Sequence, residues 1–375
     1  MAKYRFEQIA INCKEKVKAD DIDTSTYIGL EHLDPGCLHV SRWGSAVPIK
    51  GDKIVMHEGD VLFGKRNAYL RRAAIAPHDG AFSAHGMIFR PREAVVDKDF
   101  FPLFIASDYF FDTAIRISVG SLSPTVNWSD LKNQEFELPD LDTQRKLAKV
   151  LWSLNDTKEA YKKLIAATDE LVKSQFIEMF GDPAENPNGY PIEKLASVGE
   201  LNRGVSKARP RNNPALLGGP YPLIQTGEVT AAELYIDHYE NTYSELGLAQ
   251  SKMWPKGTLC ITIAANIAQT AILGFEACFP DSVVGFVSGE RVTQIYIHYW
   301  FGFFQKILEE QAPQVAQKNI NLKILSELDV MVPPMELQQQ FIRLVKQSDK
   351  SKFELEQALA ELNATYKRII TENLG

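Results

Sequence analysis

Two stretches of the chain carry apolar residues in a three-four rhythm. In the first they fall at 147, 150, 151, 154, 161, 164, 165, 171, 172, 176 and 179; in the second at 341, 344, 345, 355, 358, 359, 362, 366, 369 and 370. The spacing predicts two long amphipathic helices with a coiled-coil stripe on each. Leu147, Leu151, Leu154, Leu164, Leu171 and Phe176 form one stripe, and Phe341, Val345, Leu355, Leu359, Leu362 and Ile369 the other. Each stretch runs for about 40 residues without Pro or Gly, a rod of about 60 Å. Leu138-Pro139-Asp140 and Val332-Pro333-Pro334 place proline where a helix can start. Phe180-Gly181-Asp182-Pro183 stops the first helix. A helix this long exposes its stripe unless something covers it, and the obvious cover is the other helix.

The sequence ahead of each helix alternates short apolar runs with turn residues. GDVLF (59–63), AAIA (73–76) and YIGL (27–30) read as strands, as do GTLCI (257–261), TAILGF (270–275) and PLIQT (222–226). Asp34-Pro35-Gly36 and Gly218-Gly219-Pro220 punctuate them. Residues 100–117 and 293–311 are aromatic-rich and helix-like, which fits core burial. The two halves also repeat each other. At an offset of 194, Asn127 meets Asn321, Leu131 meets Leu325, Pro139 meets Pro333 and Gln144 meets Gln338. At an offset of 197, Ala74 meets Ala271, Ile75 meets Ile272, Phe82 meets Phe279 and Phe89 meets Phe286. The pattern is two copies of a globular unit, each followed by a helix.

Composition narrows the function. The 375 residues are 45% hydrophobic and 24% charged, as in a folded protein. No apolar run approaches the ~18 residues of a membrane span. Met1 to Glu7 lacks the apolar core of a signal peptide, so a cytoplasmic protein is expected. The four cysteines form no C-x-x-C pair, which argues against a structural zinc, and no metal-ligand spacing links the seven histidines. No phosphate-binding loop, dinucleotide fingerprint or nucleophile elbow is present. Pro139-Asp140 with Asp156 and Lys158 formally matches a loose nuclease pattern, but more than four helical turns separate these groups, so solvated helix charges are expected.

The net charge of -7 hides two basic segments. Residues 64–92 hold six basic residues against one acid, and 194–213 hold five against one. Such segments suit phosphate, with base contacts favouring Arg, Asn and Gln. Lys65, Arg66, Arg71 and Arg72 are the candidates in the first unit; Lys207, Arg209, Arg211 and Asn212, with Lys318 and Asn319, are those in the second.

Several motifs, in order and duplicated, resemble the specificity subunits of type I restriction-modification systems. They are Tyr27 to Gly36 (YIGLEHLDPG), Gly120-Ser121 with Asn127 to Asn133 (NWSDLKN), Leu138-Pro139 through Gln144, Phe180 to Pro183 with Asn186 to Gly189, and Val332 to Gln338. The resemblance covers nearly the whole chain. Residues 203–219 depart from the first copy, as expected where two recognition domains read different targets.

The resemblance implies an α+β fold with two repeated mixed α/β target recognition domains, each followed by a long helix, the two helices packing as an antiparallel coiled coil. The expected divisions are recognition domain 1–140, helix 141–180, linker 181–190, recognition domain 191–333 and helix 334–375. It further implies recognition of a bipartite double-stranded DNA site, with the helices setting the gap and docking methyltransferase subunits. S-adenosylmethionine is expected in those partners, cleavage in a restriction and translocase subunit, and no cofactor, metal or catalysis in this chain. The family also places Gly120 to Ser123 near DNA, which adds Ser121 and Ser123 to the contact candidates. The alternative is a DNA-recognition subunit of a related phage-defence methylation system.

Overall fold

A computed structural model describes residues 1–264, 268–303 and 320–374. The chain divides into two compact units, Met1–Lys163 with Glu356–Gly375, and Leu164–Leu355.

In the first unit the strand Ala2–Arg5 pairs antiparallel with Glu135–Leu138, which leads into the first long helix, Leu141–Phe180. Glu135 and Glu137 face water while Phe136 and Leu138 are buried, the alternation of a one-sided strand. A four-stranded antiparallel sheet runs in the order Ala10–Cys13, Met87–Pro91, Val61–Phe63, Ala73–Ile75. A second sheet runs Lys16–Val17, Lys53–Met56, Gly80–Phe82, Tyr27–Ile28, its last pair parallel. The helices Phe101–Ile105 and Asp108–Arg116 close the core. Phe6 meets Phe89 edge-on at 5.2 Å, and Phe104 meets Phe136 likewise at 5.2 Å. The aromatic residues Phe100, Phe101, Phe104, Phe110 and Phe111 are core residues.

The second unit repeats this plan. Ile192–Lys194 pairs antiparallel with Asp329–Met331. A five-stranded sheet runs Gly199–Arg203, Val283–Ser288, Leu259–Thr262, Thr270–Leu273, Tyr235–Ile236. A four-stranded sheet runs Asn241–Tyr243, Leu217–Leu223, Ala277–Cys278, Met253–Trp254. Ala74 pairs with Leu62 in the first unit as Ala271 pairs with Cys260 in the second. Gly59, at φ +86°, donates its N–H to Ala76; Gly257, at φ +88°, donates to Leu273. A side chain would strain both turns. PLIQT is only partly a strand. The strand ends at Leu223, and a short helix, Thr226–Ala231, starts where Gln225 N–H donates to the Glu228 carboxylate at 3.1 Å.

The second long helix is Met335–Leu374. Each unit contains a stretch of both long helices, and in each the two stretches run antiparallel. In the first, Ala148 and Leu151 share a core with Ile370 and Leu374, and the Lys158 ammonium lies 4.7 Å from the Tyr366 ring centre. In the second, Phe176 meets Phe341 edge-on at 5.4 Å, and Val172 and Val345 are buried nearby. The predicted stripe on the second helix is buried or half-buried throughout. On the first helix it needs correction. Leu164 and Leu171 are 52% and 53% exposed, while Val172 is buried. They sit one residue, about 100° of rotation, away from the inward face. That face also takes in the polar Asn155, 4% exposed, and half-buried Lys158.

Candidate nucleic-acid interface

Residues 64–72 leave the strand Val61–Phe63 and close where Gly64 N–H donates to the Arg72 carbonyl at 2.9 Å. The turn Ala68–Leu70 lies between two left-handed residues, Asn67 at φ +55° and Arg71 at φ +50°. In the second unit Ala268, 197 residues on from Arg71, is also left-handed, at φ +60°.

A second loop, 119–125, is closed by reciprocal backbone hydrogen bonds between Val119 and Thr125, at 3.0 and 2.9 Å. Gly120, at φ +112°, makes its turn, and Leu122 at its tip is 96% exposed. The two loops are tied together. Asn67 N–H donates to Pro124 at 2.7 Å, Val126 N–H to Lys65 at 3.0 Å, and Arg66 Nη2 to Ser123 Oγ at 3.1 Å. Lys65, Arg66, Ser121 and Ser123 therefore share one platform, although about 57 residues separate Arg66 from Ser123.

The electrostatics favour an anion. Burial pushes the Lys65 ammonium below the usual lysine range, and Lys16 pushes it further the same way. A half-buried cation with a second cation acting on it is relieved by a negative charge. Arg66 N–H donates to the His85 carbonyl at 3.2 Å, which sets exposed His85 beside the same loop. Neither Lys16 nor His85 was among the sequence candidates. Each lies on another element, and no local pattern marks them.

The remaining candidates divide. Arg71 is held within its own unit: Nη1 donates to Asp108 at 2.6 Å and Nη2 to Asp112 at 2.7 Å, with the guanidinium 5.9 Å from the Phe111 ring centre. These carboxylates offset its charge within the unit and give Arg71 a structural role in the loop. Arg72 is half-buried, and its Nε has no hydrogen-bond partner among the described residues. Lys207, Arg209, Arg211 and Asn212 lie on an exposed segment between Gly199–Arg203 and Leu217–Leu223. Arg209 and Arg211 both turn to Asp281, and Arg209 also donates to the carbonyls of Ser206 and Ala208. Their charge is partly offset, which leaves Lys207 and Asn212 as the outward pair. Lys318 and Asn319 lie outside the described residues.

No group of side chains able to hold a metal occurs among the described residues. Asp140 caps the first long helix, its carboxylate accepting from Thr143 N–H at 2.9 Å and Thr143 Oγ1 at 3.0 Å. These hydrogen bonds hold its pKa below the usual carboxylate range. Lys158 faces Tyr366 instead of Asp140. All four cysteines are free. No helix among the described residues is long and apolar enough to cross a membrane.

The comparisons agree with this duplicated plan. The family model described as the type I restriction modification DNA specificity domain matches residues 39–167 and 187–364. The chain is 20% identical over 345 residues to a protein named as the type I restriction enzyme MjaX specificity subunit of Methanocaldococcus jannaschii, covering 85% of this chain and 79% of that one. Its fold resembles a solved chain from work on complex assembly and conformational transition of the type I R-M system, with a TM-score of 0.61 at 18% identity over 99% of this chain and 97% of that one. It also resembles the type I restriction-modification S subunit from M. genitalium, with a TM-score of 0.58 at 12% identity over 100% of this chain and 96% of that one. With both copies of the repeat matched, the chain belongs to the family of type I restriction-modification DNA specificity proteins.

Proposed function

We propose that this chain reads a split double-stranded DNA site, one half with each recognition unit, as the specificity subunit of a type I restriction-modification complex. The observation that carries this reading is the platform of the first unit, where two tied loops bring Lys65 and Arg66 together with Ser121 and Ser123. Phosphate neutralises such a cluster, and side chains on the tied loops then reach base edges. The internal repeat supports two readers, and the long helices suit a rigid spacer, which a flexible linker cannot provide. The helices dock methyltransferase subunits, in which S-adenosylmethionine binds. A separate translocase subunit cuts DNA. This chain performs neither reaction and works in the cytoplasm.

The test is an exchange. Residues 1–140 are replaced by the equivalent part of a relative, and the methylated sequence of the host is mapped. One half of the motif should change while the other is kept. A change in both halves would mean that the units read jointly. Methyl transfer by the purified chain alone, given DNA and S-adenosylmethionine, would place catalysis in this chain and overturn the subunit assignment.

A further inference from the structure

Gln144 and Gln338 are each the fourth residue of a long helix, and both are completely buried. A buried amide is costly unless its donors and acceptor are satisfied, and an apolar residue would fill such a place more cheaply. Both glutamines are satisfied in the same way. Gln144 Oε1 accepts the Asp97 N–H at 2.8 Å, while its Nε2 donates to the carbonyls of Val95 at 3.1 Å and Pro139 at 2.8 Å. Gln338 Oε1 accepts the Thr293 N–H at 2.9 Å, while its Nε2 donates to Arg291 at 2.9 Å and Pro333 at 3.0 Å.

The arrangement survives a change in most of the residues around it. Val95 is replaced by Arg291, Asp97 by Thr293, and the cap residue Asp140 by Pro334. In both copies the amide reaches the proline ahead of its helix and two backbone groups of the segment that follows the last strand of the unit's main sheet. That segment also starts the next buried helix. Asp97 accepts from Phe100 N–H at 3.2 Å, and the Thr293 hydroxyl accepts from Tyr296 N–H at 3.2 Å. A planar amide with three directional bonds, buried in close-packed surroundings, resists rotation of the helix start against the globular unit.

We propose that Gln144 and Gln338 are positioning residues that lock the direction in which each long helix leaves its recognition unit. They thereby set how strictly the assembled complex measures the distance between its two half-sites. The inference rests on the proposed reading of a split site. Neither glutamine touches DNA; each acts through the helix it anchors.

Methylation mapping first supplies the half-sites and the native gap. Complexes containing wild type, Gln144→Met or Gln338→Met are then given three duplexes with those half-sites, at the native gap and at one base pair more or less. The readout is the ratio of methyl transfer at the native gap to that at the altered gaps, with the mapped half-site sequences as a second readout. Methionine keeps the length of the side chain and removes all three hydrogen bonds. The ratio should fall on the order of tenfold, about 1.4 kcal/mol of discrimination, while the half-sites stay the same. A general loss of activity with the wild-type ratio kept would make the glutamines ordinary core residues and overturn the proposal. A variant that does not assemble is replaced by Gln144→Glu, which keeps the acceptor and sets a carboxylate against two carbonyls; the same ratio decides. Lengthening both helices separates this proposal from its premise. If lengthening moves the preferred gap while the methionine variants keep their ratio, the spacer stands and the glutamine lock fails. If lengthening leaves the gap unmoved, the reading of the helices as a spacer is what fails.

Discussion

Lys352 of the second long helix donates to both carboxylate oxygens of Asp169 on the first, at 2.9 and 3.0 Å, and to Glu233 at 2.6 Å. Its side chain is 9% exposed, so one buried ammonium ties together three segments of the second unit. Burial alone would lower its pKa, but hydrogen bonds to Glu233 and Asp169 outweigh burial and raise it above 10.5. Asp349 lies in the same cluster; burial raises its pKa, Lys352 lowers it, and Glu233 and Asp169 raise it.

Replacing Lys352 with Met should destabilise the second unit by about 1 kcal/mol. Removing one partner of a buried pair is costly, but Asp169 and Glu233 are half or more exposed and water screens what remains. The sign of the pH dependence follows from the raised pKa. The lysine's contribution is complete below pH 10.5 and is lost as pH rises through its higher folded value. Thermal unfolding of wild type and K352M should therefore differ at neutral pH and converge in strong alkali. A constant difference across that range would place the effect in packing instead of charge.

Neutralising Lys65 and Arg66 together should weaken DNA binding in the assembled complex. For each phosphate that the protein no longer neutralises, the slope of log affinity against log salt should fall by about 0.9. Adding Lys16→Ala should extend the trend, because the charge of Lys16 acts on Lys65. Unchanged affinity with an unchanged slope would remove the platform from the interface.

Arg71 makes the contrast. Its two ion pairs hold the 64–72 loop to the helix Asp108–Arg116. Arg71→Ala should lower the melting temperature of the chain while the salt slope stays near wild type. The stability loss should be about 1 kcal/mol or less, since both pairs are more than a third exposed. A slope reduced as much as by Lys65 and Arg66 would place Arg71 among the DNA-binding residues.

Matched insertions test the spacer. Lys158 faces Tyr366 in one unit and Asp169 faces Lys352 in the other. Four residues added between 158 and 169, with four more between 352 and 366, lengthen each helix by about 6 Å and turn it by about 400°, close to a full turn. DNA rises about 3.4 Å per base pair, so the unspecified gap should grow by one or two base pairs with the half-sites kept. Two residues in each helix turn the stripes by about 200° and point them outward. Those variants should lose folding or partner binding, which circular dichroism and co-purification would detect.

The sequence by itself determined the long helices, the repeat and the family. Helical periodicity and the Pro and Gly stops are local signals, readable without knowing what the helix touches. Glycine-led strands such as Val61–Phe63 and Leu259–Thr262 were legible for the same reason. Tertiary structure decided which face of the first helix turns inward. Leu164 and Leu171 carry the right chemistry for a core, yet Val172, Asn155 and Lys158 lie on the packed side, because the partner surface sets the register and hydrophobicity alone does not. It also decided what each charge does. Asp108 holds Arg71 from 37 residues away, and Asp281 holds Arg211 from 70 away, while burial and the charge of Lys16 both disfavour the charge on Lys65. A basic residue in a sequence announces its charge; whether that charge is met inside the unit or left for phosphate depends on segments that only the folded chain brings together.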